Sequence, residues 1–161
     1  MTTRSDVKVQ NADSRRAKES IDRLTATFFG LFSNGGVGPV SLSPMREIFI
    51  PEARIIKAVG PLPEIYTVAE FLEPRERLLN DGTLVNFEEH EEAEATSIVG
   101  NVAQRLSLYG KSGVLHGKPF EARGVNMMHF VSMPQGWRMC SLIWDDERAG
   151  VSLDDVDACA S

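Results

Sequence analysis

The densest run of titratable side chains is Glu88-Glu89-His90-Glu91-Glu92, four carboxyl groups around one imidazole. On an extended strand successive side chains point to opposite faces, so Glu89 and Glu91 share the face of Phe87. Glu88, His90 and Glu92 then occupy the other face. A carboxyl group desolvated in a pocket holds its proton more tightly and can act as a general acid or base near neutrality. Glu89 and Glu91 are candidates for that role, and Arg105 on the next strand can pair with one of them and keep it ionised. The alternative is a solvated, charged strand balanced by nearby arginines. His129 is the third acid/base candidate, because imidazole titrates close to neutrality. It equally suits a hydrogen-bonded core or interface histidine. Asn126 and Ser107 offer neutral hydrogen bonds that could serve a ligand, a strand edge or a water.

Other chemistries lack their residues. Cys140 and Cys159 have no Cys-x-x-Cys spacing, so neither a zinc knuckle nor a disulfide framework is expected. His90 with Glu88 and Glu92 gives only alternate residues of one strand, and no metal site is expected from them. His116 lies in a turn-rich stretch and is expected to be exposed. Gly35-Gly36-Val37-Gly38 lacks the phosphate-binding lysine and the strand-before, helix-after context of a nucleotide loop. There is no Gly-x-Ser-x-Gly elbow and no His-Glu-x-x-His helix. The sequence therefore implies no cofactor and no covalent catalysis.

Charge narrows the partners. Lys plus Arg total 17 against 23 Asp plus Glu, a formal charge of −6, which works against tracking nucleic-acid phosphates or anionic lipid. No stretch approaches the length of apolar chain that spans a bilayer, and Met1 to Arg16 is too polar for a secretory h-region. A cytoplasmic protein with no nucleic-acid or membrane partner is expected.

The elements that must position these residues follow from periodicity. In 161 residues with 42% hydrophobic content, one core is expected. Residues 1–12 and 149–161 lack periodicity and read as flexible tails around a domain at 13–148. From Ser14 to Ser33, Ala17, Ile21, Leu24, Phe28, Leu31 and Phe32 recur at spacings of three and four, an amphipathic helix. Ser43-Pro44 starts a short second helix to about Phe49, and Thr67 with Glu70 forms a capping box for a third, perturbed by Pro74 and ending at Asn80-Asp81-Gly82. Ala53–Val59 and Glu64–Tyr66 are extended. Glu and Ala favour helix over Leu84–Thr96, yet the order of its neighbours requires a strand there. Gly100–Tyr109 is strand-like, Gly110–Gly113 has turn chemistry, and Val125–Met133 joins Trp137–Trp144 through the hairpin turn Pro134-Gln135-Gly136. Trp137 and Trp144 stand an odd number of residues apart, so a regular strand sends them to opposite faces. Helices first and strands later make an α+β protein, with a curved antiparallel sheet closing over the helices.

This order of elements resembles the nuclear transport factor 2-like superfamily, in its SnoaL-like branch. The resemblance is carried by Phe28-Phe29-Gly30-Leu31-Phe32, by Phe49 to Ile55, by Glu76 to Leu84, and by Gly136-Trp137-Arg138-Met139 through Ile143 to Glu147. It implies a cone of three N-terminal helices on a strongly curved antiparallel sheet, an internal cavity and a homodimer made through the sheet. Members include isomerases, dehydratases, cyclases, hydrolases and proteins without catalysis. The best-understood enzymatic type, ketosteroid isomerase, uses an Asp base, a Tyr and a protonated Asp. By this resemblance those positions fall near Lys57, Phe28 and Met127, none suited to its role. The expectation is a pocket for a small apolar organic ligand, with Glu89, Glu91 or His129 as acid/base candidates and Arg105, Asn126, Ser107 and Phe28 contacting the ligand. A non-catalytic homodimeric interaction module is the alternative.

Overall fold

The computed structural model describes residues 4–154 and 156, with side chains placed from Asp13 onward. Helix α1 spans Arg4–Leu31. Residues 4–12, expected as a loose tail, are helical and continuous with the amphipathic segment; extending an existing helix is far easier than starting one. Ile21, Phe28 and Phe29 are buried along its inner stripe. After the helix ends, Asn34 ties three elements together. Its amide donates to the Leu79 and Leu84 carbonyls at 3.0 and 2.6 Å, and its oxygen accepts from the Phe87 N–H at 2.7 Å.

The expected three helices are, among the described residues, two α-helices and one turn of 3-10 helix at Ser43–Glu47. The short helix stops early because a strand claims its end: the Met139 N–H donates to the Ile48 carbonyl at 2.7 Å. Strand β1 spans Phe49–Lys57 and β2 Glu64–Tyr66. Helix α2, Val68–Asn80, begins as its capping residues predict, with Thr67 accepting from the Glu70 N–H, and continues through Pro74. Four long strands follow: β3 Leu84–Val99, β4 Val102–Leu115, β5 Lys118–Met133 and β6 Gly136–Asp146. Leu84–Thr96 is thus a strand against its intrinsic propensity, because pairing with β4 runs its whole length.

The sheet order is β2-β1-β6-β5-β4-β3. It is mixed and not purely antiparallel, since β1 and β6 run parallel. The last strand inserts between the first strand and β5, and only so long an intervening chain permits a parallel neighbour. Register shifts interrupt β1, β3 and the β5–β6 ladder; bulges of this kind bend strands and increase twist. The inner face packs on α1 and α2 around Phe28, Phe49, Phe71, Tyr109, Phe130 and Met139.

Gly110–Gly113, expected as a turn, lies inside β4. These glycines serve close approach: a Cβ on Gly110 would sit 2.5 Å from Glu92 Oε1, and one on Gly113 would crowd the Phe120 ring and the β3 backbone. The β4–β5 turn is His116-Gly117, both at positive φ, as a tight hairpin requires. The Pro134-Gln135 turn between β5 and β6 stands where the sequence puts it. Beyond residue 149, expected as a tail, Arg148 and Val151 form a bridge and Leu153 is buried against Leu108 on the outer face of the sheet. Apolar area on that face draws the segment down. Among the described residues no helix is long and apolar enough to cross a membrane.

Candidate functional site

Two bulges in β3 decide what its carboxylates do. Asn86 sits at positive φ in the first, between Val85 and Glu88, and it leaves Phe87, Glu89 and Glu91 facing the helices. The second skips Glu92, since Glu91 pairs with Tyr109 and Ala93 with Leu108. Beyond it the phase changes, so Glu94 and Thr96 join Glu91 on the inner side. Glu88, His90 and Glu92 are exposed, with His90 Nε2 3.8 Å from Glu92 and Arg123 Nε 3.0 Å from the same carboxylate.

Glu91 enters an ion network and not a pocket. Arg105, 4% exposed, binds it through two nitrogens at 3.0 and 2.5 Å, and its third contacts Asp22 at 2.7 Å and Thr96 at 3.0 Å. Ser107 Oγ donates to Glu91 Oε2 at 2.5 Å. Lys18 bridges Asp22 and Glu94 at 2.6 and 2.8 Å. Burial opposes the Arg105 charge, but its bonds to Glu91 and Asp22 prevail and raise its pKa. Burial likewise acts to raise Asp22 and Glu94, and their hydrogen bonds to Lys18 and other partners override it, holding both below the ordinary carboxyl range. Arg105 and Ser107, expected at a ligand, spend their donors inside this network.

Glu89 stands apart, in a hollow of about 350 Å³ between α1, α2 and the inner face of the sheet. Its walls are mostly apolar, with Phe28, Phe32, Phe71, Leu142 and Trp144 prominent. Glu89 is opposite Lys111 in the β3–β4 ladder. Burial pushes its carboxyl up to about 7, aided by Asp146 and tempered by Lys111 and Arg75. Lys111 is itself paired with Asp146 at 3.0 Å, and the Tyr109 hydroxyl donates to the same Asp146 carboxylate. Burial and that bond raise the tyrosine pKa.

The other polar groups in the hollow are Asn126 and Arg75. Asn126 is 3% exposed, and its Nδ2 is a buried donor without a partner among the described residues. Such a group is costly unless something accepts from it. Arg75, from α2, lays its guanidinium 3.8 Å from the centre of the Phe71 ring and 5.3 Å from that of Trp144. One of its nitrogens donates to the Phe71 carbonyl at 3.1 Å. Burial depresses its pKa, and no carboxylate lies within ion-pair distance of it among the described residues.

Of the residues singled out from sequence, Glu89, Asn126 and Phe28 line the hollow; Glu91, Arg105 and Ser107 do not. His129 is on the opposite side of the sheet, exposed, with Nδ1 2.8 Å from Ser141 Oγ. It alternates with the buried Met128 and Phe130, which take the inner face. Met127 is also outside, 53% exposed, while its neighbour Asn126 faces inward. Lys57 is half-exposed beside Glu64 at 3.9 Å. Trp137 and Trp144 both pack on the helix side, against the parity of a regular strand: His129 pairs with Ser141 and Phe130 with Met139, so a bulge at Cys140 reverses the phase between them. Arg75, Lys111 and Trp144 were not foreseen as site residues. An arginine and a lysine among many carry no local signal, and only the missing counter-ion of Arg75 distinguishes it.

No protein-family model and no curated protein sequence matches the chain. Solved structures do. A nuclear transport factor 2-like superfamily protein from Salmonella enterica superposes with a TM-score of 0.68 at 16% identity, over 87% of this chain and 98% of that one. The Kfla4162 protein of Kribbella flavida gives 0.70 at 11% identity, over 84% and 93%. A nuclear transport factor 2-like protein with a cystatin-like fold from Novosphingobium aromaticivorans gives 0.66 at 15%, over 98% and 95%. The chain has the nuclear transport factor 2-like, cystatin-like fold. Likeness at this level of identity defines architecture, and function must be argued from the hollow itself.

Proposed function

We propose that the chain binds a small, mostly apolar organic molecule in the hollow and that Glu89 is its proton-transferring group. The observation that carries this reading is a carboxyl group poised at about 7 among aromatic walls, beside an amide donor with nothing to bond. A group with that pKa exchanges a proton near neutrality, giving one in its acid form to a carbonyl or leaving hydroxyl oxygen and taking one back in its ionised form. The Asn126 Nδ2 supplies a hydrogen bond to the oxygen on which charge develops. This chemistry is cofactor-independent isomerisation, dehydration or ring closure. Its first requirement is binding. A neutral, apolar solvatochromic dye should bind saturably at one site per chain. Leu78→Trp, which places an indole on a lining position, should weaken it about tenfold or more. Equal binding by both proteins would place the dye elsewhere and remove the reading.

A second reading concerns assembly. On the outer face Met127 and its ladder partner Ile143 are 53% and 37% exposed, and adjoining exposed apolar side chains of this kind mark interaction sites. We propose a homodimer through the sheet, with or without catalysis. Sedimentation equilibrium should give twice the 17.8 kDa chain mass, and Met127→Lys should shift it toward the monomer. A monomer mass independent of concentration would refute the dimer.

A further inference from the structure

We infer that the hollow selects a flat apolar monoanion, a conjugated or aromatic carboxylate, with the Arg75 guanidinium as its counter-ion and the Asn126 amide donating to an oxygen of the ligand. The inference rests on the pocket reading above and adds the charge of the ligand. A half-buried guanidinium normally has a carboxylate beside it, because removing a cation from water without one is expensive. Among the described residues Arg75 meets aromatic faces and one backbone carbonyl. Its nearest acids act on it at a distance: Glu64 is bonded to Tyr66, and Glu89 lies within the hollow. The planar guanidinium, stacked on Phe71 and facing Trp144, keeps donors free for a carboxylate, which arginine recognises through paired N–H groups. Flatness of the ligand follows from the aromatic rings that line the hollow, Phe28, Phe32, Phe71 and Trp144 among them.

Charge balance gives the inference a second, independent consequence. The groups facing Glu89 are Arg75 from α2, Lys111 and Tyr109 from β4, and Asp146 from β6; α1 and the turn after it contribute Phe28 and Phe32 to the hollow. Lys111 and Asp146 neutralise one another. With Glu89 protonated, the hollow carries the single positive charge of Arg75 and suits a monoanion. With Glu89 ionised, that charge is already balanced, and an anion meets a like charge. Anion binding is therefore linked to proton uptake by Glu89. Affinity should be greatest below pH 7 and fall as the pH rises through the Glu89 midpoint of about 7.

Isothermal titration with 2-naphthoate and its neutral isostere 2-naphthylmethanol tests both consequences on the intact chain. At pH 6 the acid should bind about tenfold or more tightly than the alcohol, and by pH 8 that preference should shrink about fivefold or more. Arg75→Gln should bring the two ligands to within about twofold while the alcohol still binds. Glu89→Gln should keep the preference and remove its pH dependence. Equal binding of acid and alcohol by the unmodified protein would overturn the charge selectivity and leave the pocket reading standing. Failure of both arenes to bind at millimolar concentration would overturn the pocket reading with it. A preference that survives Arg75→Gln would overturn the role of Arg75.

Discussion

Glu89→Gln should stabilise the protein in alkaline solution and do little in acid. In the folded chain the Glu89 carboxyl moves from an ordinary value of 4.5 to about 7, and at 1.36 kcal/mol per pH unit the full displacement corresponds to about 3 kcal/mol. A carboxyl whose folded pKa is raised binds its proton more tightly when folded, so its contribution is fully favourable below 4.5. That contribution is lost as the pH climbs from 4.5 through 7 and the charged form is forced into an apolar hollow. Solvent entering the mouth reduces the penalty, and about 1–3 kcal/mol is a realistic range. An amide carries no charge at any pH and escapes the penalty. Urea denaturation at fixed protein concentration, at pH 5 and pH 8, should show the variant gaining about 1–3 kcal/mol over the parent at the higher pH and about 1 kcal/mol or less at the lower. A difference between the two proteins that stays constant from pH 5 to pH 8 would refute the placement of a desolvated carboxyl at this position.

The remaining expectations concern the scaffold around the hollow. Arg105→Ala strips the buried cation from Glu91, Asp22 and Glu94 and should cost about 2–3 kcal/mol in chemical denaturation, less than for a fully buried pair because the three carboxylates are 20–44% exposed and solvent screens the charge left behind. Because Asp22 and Glu94 titrate below the ordinary range, the stability they contribute is present above that range and is lost as acid protonates them; the parent should lose stability below about pH 4 more steeply than Asp22→Asn. Asn34→Ala removes three hydrogen bonds joining the end of α1 to α2 and β3. It should cost about 2–3 kcal/mol and speed amide exchange at Phe87, whose N–H loses its acceptor.

The fold was legible where a pattern was long or a turn had its own chemistry. The amphipathic spacing from Ala17 to Phe32, the Thr67–Glu70 cap and the Pro134-Gln135 turn all specify structure through nearest neighbours, and α1, α2 and the β5–β6 hairpin stand where they point. Legibility failed where a distant strand intervened. Ile48 and Phe49 leave the short helix because Met139, ninety residues away, bonds to them. Gly110 and Gly113 look like a turn, yet they are glycine because Glu92, His90 and Phe120 cross over them.

The candidate site divides along the same line. The sequence by itself determined that Glu89 and Glu91 share the face of Phe87, because alternation is a property of any strand, and it supplied a carboxyl-rich strand opposite basic residues. Only the tertiary structure decided which carboxyl is neutralised and which is left in the hollow. The bulge at Glu92 turns Glu94 inward beside Glu91, where Arg105 and Lys18 meet them, while Glu89, two residues earlier, falls among aromatic rings. A bulge is a one-residue mismatch between partner strands, set by the packing of both. It reverses the direction of every following side chain and leaves no mark in the composition of either strand.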